Sequence, residues 1–279
     1  MPVSRRRHFG STAHEERALA VTSPPLSEVA AYLDAHLRIS EIPDYATALN
    51  GVQLAHRGPL RLVAAAVDAS LRTIDGAIAA KANLLLVHHG MFWNGLQRLN
   101  GRFYERVRRL LEHDIAVYAA HLPLDVHETH GNSRLLAEAL KLQPAGGFAK
   151  YEDVYCGVRG ECEIDTALLH ERMRTFSRLN GGDTIATPIS GGRVTRRWAI
   201  CSGSGANHDT LLEASELGVD TLIVGEGPHW TAIDAEEMGI VVLYGGHYAT
   251  ETLGVRSLAA HLEQRYGLPW TFVAAPTGL

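Results

Sequence analysis

Cysteine is scarce. Cys156, Cys162 and Cys201 are the only three in 279 residues. None stand at CxxC spacing, and an odd set does not describe a disulfide framework, so neither a structural zinc site nor a stapled secreted fold is expected. Reduced thiols fit a cytoplasmic protein. Long apolar runs are also missing: no stretch approaches the ~18 residues a membrane-spanning helix needs. Basic excess is absent too, with 26 Lys+Arg against 31 Asp+Glu and a net charge of −5. That argues against a nucleic-acid partner held by a basic surface. Ser4-Arg5-Arg6-Arg7-His8-Phe9 has the look of a twin-arginine export signal. The residues that follow, Gly10 to Arg17, are polar where export needs an apolar segment. Residues 1–24 are therefore expected to be a disordered extension ending at Pro24-Pro25.

Histidine, by contrast, is abundant, with 15 residues, and it is the commonest metal-ligating side chain. The pattern centres on Leu84-Leu85-Leu86-Val87-His88-His89-Gly90. A short aliphatic run of this kind reads as a buried strand of a parallel sheet covered on both faces. Ligands of such sheets bind beyond the carboxyl ends of the strands, which is where His88 and His89 fall. Neighbouring residues on an extended segment point to opposite sides. The pair therefore suits two metals, or one metal and a substrate, better than one shared ion.

Around this strand the chain reads as α/β. Ser27 caps a first helix over roughly 27–38, and Asn50-Gly51 reads as a tight turn. Residues 61–67 form a strand ending at Asp68, and 73–82 a helix, so the histidine strand completes a βαβ unit. Phe103 to Glu112 is a basic amphipathic helix with its arginines in solvent. Ile115 to Ala120 is a strand ending in His121-Leu122-Pro123-Leu124-Asp125, and Asn132 to Leu140 a helix behind Gly131. Pro144-Ala145-Gly146-Gly147 reads as a linker. Val154 to Arg159 is a strand, Asp165 caps a helix running to Arg178, and Arg197 to Cys201 begins another strand. That strand ends in Ser202-Gly203-Ser204-Gly205, whose backbone N–H groups could hold an anion.

From there the plan repeats. At an offset of 137, Val63 meets Ile200, Ile74 meets Leu211, Val87 meets Val224 and Trp93 meets Trp230. His88 and His89 are replaced by Gly225 and Glu226. At an offset of 126, Ile115 to Tyr118 meets Val241 to Tyr244, His121 meets His247 and Asp125 meets Glu251. His-x-x-x-carboxylate thus recurs after an apolar strand, ahead of helices led by Gly131 and Gly254. This predicts two lobes from an internal duplication, with a site where they meet. The expected layout is a first α/β lobe over 26–145, a middle segment over 148–195 joining the lobes, and a second α/β lobe over 196–275 whose C-terminal part is free to pack back on the first.

Imidazole and carboxylate donors suit Zn, Mn, Fe, Co or Ni. A metal pair about 3.5–4 Å apart needs a bridging carboxylate, and Glu251 or Asp125 could serve. Such a pair would deprotonate a water and clamp phosphate oxygens. His229 is a candidate acid or base beside it, and Glu226 a candidate partner for a ligating imidazole. His56, His113, His127 and His130 read as surface or local hydrogen-bonding residues.

At these residues the chain resembles the Nif-three-like proteins, the GTP cyclohydrolase I type 2 homologues. The resemblance runs through Asn50-Gly51-Val52-Gln53, Val87-His88-His89-Gly90 with Phe92-Trp93, and His121 to Asp125. It continues in Cys201 to Gly205, Gly225-Glu226 and Gly246-His247-Tyr248-Ala249-Thr250-Glu251, in family order over about residues 26–275. It implies two interlinked α/β lobes and a dinuclear centre at their interface, with two divalent ions on His88, His89, Asp125, His247 and Glu251. It also implies a ring-shaped homohexamer acting on a small-molecule substrate. The 24-residue extension and Pro228-His229-Trp230 depart from the pattern, which puts a role for His229 in doubt. The expected function is a metal-dependent hydrolase of a small substrate, nucleotide or phosphorylated, using a metal-bridged hydroxide. The alternative is a non-catalytic metal-binding protein, a metallochaperone or regulator.

Overall fold

The computed structural model describes residues 23–279; the expected N-terminal extension lies almost wholly outside them. The chain opens with α1 (Leu26–His36), whose Leu26, Val29, Ala30 and Leu33 face inward at helical spacing. Then come β1 (Gly51–Leu54), β2 (Val63–Asp68), α2 (Leu71–Ala80), β3 (Leu84–His89), α3 (Gly101–Glu112), β4 (Ala116–Ala119), α4 (Leu122–Asp125) and α5 (Asn132–Ala139). The remainder runs β5 (Gly146–Tyr151), β6 (Val154–Asp165), α6 (Thr166–Leu179), β7 (Ile185–Ala186), β8 (Val194–Cys201), α7 (His208–Glu216), β9 (Thr221–Val224), α8 (Trp230–Glu237), β10 (Val241–Tyr244), α9 (His247–Thr250), α10 (Thr252–Tyr266) and β11 (Trp270–Phe272).

Two sheets result. One has the order β1-β4-β3-β2-β11, the other β5-β6-β8-β9-β10-β7. Their central strands are parallel, β2 beside β3 beside β4 and β8 beside β9 beside β10. Each sheet has a buried cluster on both faces, which is why Leu84 to Val87 and Leu222 to Val224 are aliphatic without interruption. Residues 148–195 supply β6, α6, β7 and most of β5 to the second sheet and one of its faces. No helix among the described residues is long and apolar enough to cross a membrane.

The two halves share more than hydrophobic period. In α2 the Ser70 side chain accepts the Thr73 N–H, and the Thr73 hydroxyl donates to Asp68 C=O. In α7 Asn207 accepts from Thr210 N–H, and the Thr210 hydroxyl donates to Gly205 C=O. Each pair stands at the spacing of the sequence repeat, so the same capping box closes the same turn twice.

Two local readings change. Asn50-Gly51 is not a tight turn: Gly51, at φ +99°, opens β1, which pairs antiparallel with β4 at the sheet edge. Residues 144–147 are not a free linker, because Gly146 already pairs with Arg159 and Gly147 packs under the Tyr155 ring, where a Cβ would stand 2.5 Å from it. In both cases a tertiary partner overrides glycine's preference for turns.

The halves are interlocked by their last helices. Leu136 and Ala137 of α5, with Leu140 at its C-cap, pack on the second sheet. Val255, Leu258, Ala259 and Leu262 of α10 pack on the first, and β11 then pairs with β2. The helices meet at Gly254, which lies inside α10 rather than leading it. A Cβ there would sit 2.8 Å from Asn132. Asn132 Oδ1 accepts Gly254 N–H at 2.7 Å and Asn132 Nδ2 donates to Asp125 Oδ1 at 2.8 Å. Asn132→Ala strands both buried partners and is expected to cost about 2–4 kcal/mol. Urea unfolding checks this; a change within about 0.5 kcal/mol would mean the crossing is held elsewhere.

One flank of α10 carries an unusual aromatic layer. Tyr32 and His36 of α1 face His127, Glu128 and His130 of the α4–α5 loop and Ser257, His261 and Arg265 of α10. Burial first, then the neighbouring imidazoles His127 and His261, hold His36 at about 4 and His130 at about 3, against an ordinary 6.5. Below the ordinary value the unfolded chain takes up protons the folded chain refuses, so stability is complete above it and declines as pH falls toward the folded values. Melting between about pH 7.5 and about pH 5 should therefore fall less in His130→Asn than in the wild type. An equal fall would show that this layer does not set acid sensitivity.

Candidate metal centre

The carboxyl ends of the parallel strands of both sheets face one cleft of about 1010 Å³. The repeat brings its polar strand ends here. β3 delivers His88 and His89, the turn after β4 delivers His121 and Asp125, and the equivalent turn after β10 delivers His247 and Glu251.

Four imidazoles are each anchored through Nδ1. His88 bonds to Ala120 C=O at 2.9 Å, His89 to Asp68 at 2.9 Å, His121 to Asp44 at 2.8 Å and His247 to Glu226 at 2.8 Å. A carbonyl or carboxylate on Nδ1 fixes the Nδ1–H tautomer and leaves Nε2 as the free electron pair, the way ligating histidines are oriented. Glu251 is 3% exposed and sits among these nitrogens. Its Oε1 lies 3.6 Å from His88 Nε2, and its Oε2 lies 3.3 Å from His89 Nε2 and 3.0 Å from His247 Nε2. Asp125 Oδ2 stands 3.4 Å from His88 Nε2.

These separations matter. His88 Nε2, His247 Nε2 and Glu251 Oε2 are buried and have no hydrogen-bond partner. Orphaned buried polar atoms are costly. Yet contacts of 3.0–3.6 Å have the length of the edges of a coordination polyhedron with metal–ligand bonds of about 2.0–2.2 Å. Two groups bring their donor atoms within 4.8 Å of one another: His88, His89 and His121, and His89, His247 and Glu251. The donor set fits a divalent ion.

Electrostatics show what the ion would displace. Burial alone would depress His88, but the carboxylates of Asp125 and Glu251 outweigh it and hold the imidazole well above its ordinary range. His247 is likewise disfavoured by burial, yet Glu251 and Glu226 bring it to about 9. Burial would raise Glu251, but His89 and His88, with His247 close beside it, hold it well below the ordinary carboxylate range. Without metal, protons carry the charge that a cation would otherwise supply, so loading releases them.

Ser202-Gly203-Ser204-Gly205 has a different role from the expected anion cradle. Gly203, at φ +65°, lies against Glu251, where a Cβ would fall 2.1 Å from Oε1. The glycine lets the loop after β8 close over the carboxylate. His229 is exposed at the start of α8 and does not line the cleft. Glu226, read as a partner for an imidazole, bonds His247. Asp44 and Asp68, which anchor His121 and His89, are not evident as partners from the sequence. Asp68 carried a signal, since a strand-end acid beside β3 pairs in register with His89; Asp44 lies in a loop with none. Asp68→Ala, Asp44→Ala and Glu226→Ala should each weaken metal affinity about 10–100-fold while Glu213→Ala, on the cleft rim, leaves it unchanged. Competition against a chromophoric chelator reads this out, and equal affinities across the set would refute the anchoring role.

Fold and site together define an α/β protein of two similar interlocked halves with a buried histidine–carboxylate centre between them. The profile of the Duf34/NIF3 (NGG1p interacting factor 3) family matches residues 24–277, and the chain belongs to that family. A "GTP cyclohydrolase 1 type 2 homolog" of Deinococcus radiodurans is 39% identical over 254 residues, 90% of this chain and 94% of that protein. Among solved structures, protein ybgI, of unknown function, superposes with a TM-score of 0.82 at 30% identity, covering 91% of this chain and 100% of that one. TTHA1606 from Thermus thermophilus does so at 0.78 and 36%, covering 91% and 99%.

Proposed function

We propose that the cleft holds two divalent ions bridged by Glu251 and hydrolyses a small phosphorylated or nucleotide substrate. The observation that carries this reading is the division of Glu251. Oε1 faces His88, which is shared with Asp125, and Oε2 faces His89 and His247. One carboxylate therefore addresses two donor sets, as a bridging ligand does. When bound, a pair of ions there supplies Lewis acidity, acidifying a water and neutralising a developing oxyanion.

The chain's own residues do the rest. Asp68, Asp44 and Glu226 keep three imidazoles in one tautomer. Tyr45, Trp93 and Tyr151 ring the mouth, with Tyr45 5.3 Å from Tyr151 and 6.4 Å from Trp93, and offer faces to a planar group. Among the described residues, Lys150 is the one lysine or arginine on the lining and can meet a phosphate. The ring hexamer that the family resemblance implies belongs to the same reading and is checked by sedimentation.

The test is a screen of phosphomonoesters, phosphodiesters, nucleotides and cyclic amides with Mn, Zn, Fe or Co, read against Glu251→Gln. Turnover in the wild type and none in the variant is expected. If no substrate exceeds the variant background and the ions exchange within seconds, the protein is a metal carrier, not a hydrolase.

A further inference from the structure

Three histidines outside the cleft converge: His36 in the last turn of α1, and His127 and His130 in the α4–α5 loop. One ligating atom of each lies within 4.8 Å of those of the other two. None lines the interlobe cleft. From the sequence His127 and His130 read as surface or local hydrogen-bonding residues, and His36, 94 positions from His130 along the chain, leaves no local pattern that joins it to them.

His130 is 4% exposed and the most firmly held. Its Nδ1 lies 2.7 Å from Ser257 Oγ. With Nδ1–H donating to that hydroxyl, the Nε2 electron pair faces His36, whose Nε2 is 3.2 Å away. Two imidazole nitrogens at that distance match one edge of a tetrahedral site, about 3.3 Å for metal–nitrogen bonds of about 2.0–2.1 Å. His127 Nδ1 accepts the Thr129 and His130 N–H groups at 3.1 and 3.3 Å. These bonds orient the ring over His130, 4.7 Å between centroids and 22° between planes. His261 is wall rather than donor: it stacks on His36 at 4.6 Å and 3° and its Nε2 is taken by the Tyr32 hydroxyl.

The three donors are all imidazole, without carboxylate or thiolate. That selects Zn, Co, Ni or Cu(II) and discriminates against Mn, Mg and Ca, unlike the mixed donors of the interlobe centre. Three ligands also leave a fourth position open to water or an outside donor.

We propose that His36, His127 and His130 form a second, mononuclear site for an imidazole-preferring divalent transition ion. Occupation staples α1 to the loop that follows Asp125, so the site stiffens the segment leading out of the interlobe centre.

Equilibrium dialysis of the full chain against Zn²⁺ and separately against Mn²⁺, with metal counted per chain, tests it. The wild type should bind one more Zn²⁺ than His36→Asn/His130→Asn, while Mn²⁺ counts are equal in the two proteins. Interlobe ligands are untouched by this variant. If it does not fold, carbethoxylation of the wild type followed by mass spectrometry replaces it. Zn²⁺ at about ten times its Kd should slow modification of His36 and His127 about tenfold, with Mn²⁺ having no effect. Equal Zn²⁺ counts in wild type and folded variant, or modification rates indifferent to Zn²⁺, overturn the proposal.

Discussion

Glu251→Gln is expected to reduce the interlobe centre to at most one weakly held ion, with affinity down about 100-fold or more. The substitution keeps volume but turns one carboxylate oxygen into an amide NH₂, which donates and does not ligate. Whichever oxygen is lost, one donor set loses a member: His88 and Asp125 on the Oε1 side, His89 and His247 on the Oε2 side. Charge acts in the same direction. Glu251 is the buried anion that all three imidazoles face, and it is held ionised by them. A neutral side chain there leaves an incoming cation without its central counter-charge. Metal counting after equilibrium dialysis checks the outcome, and wild-type occupancy in the variant would show that Glu251 is not a ligand.

Gly203→Ala should produce the second large effect, although it removes no donor. The residue adopts φ +65°, and its new Cβ would fall 2.1 Å from Glu251 Oε1 and 3.4 Å from His247 Nε2. The carboxylate cannot retreat, since it is buried and surrounded by imidazoles. Backbone strain and displacement together should cost about 2–4 kcal/mol. Metal affinity should fall in parallel, because the displaced group is the proposed bridge. Gly191→Ala is the matched control: nothing lies within 4 Å of a Cβ there and its φ is outside the left-handed region. It should stay within about 0.5 kcal/mol of the wild type. Chemical denaturation of both variants decides, and equal stabilities would show that the loop after β8 can give way.

The parts visible in the sequence share a physical origin. Leu84 to Val87 could be read as a buried strand because a sheet covered on both faces tolerates no alternation. His88 and His89 stood out because strand ends of an α/β sheet are where ligands sit, and the duplication marked His-x-x-x-carboxylate at His121–Asp125 and His247–Glu251; the choice of His88, His89, Asp125, His247 and Glu251 as the ligand set came from the family resemblance. What escaped was what depends on long-range contact. Asp44 orients His121 from 77 positions away. Gly51 and Gly146 look like turn residues until β4 and β6 are laid beside them. The crossing of α5 and α10 at Asn132 and Gly254 has no local signature, since it depends on how the halves interlock. Gly203 offered glycine's usual meanings, but its actual reason, a carboxylate two ångströms from where a Cβ would be, lies 48 residues downstream.

The central claim is that one buried carboxylate joins two metal positions. Metal-edge anomalous diffraction from crystals of the protein loaded with Mn²⁺ or Zn²⁺ addresses it directly. The account predicts two peaks about 3.5–4 Å apart astride Glu251, one beside His88 and Asp125 and the other beside His89 and His247. A single peak, or none in the cleft under saturating metal, would contradict it.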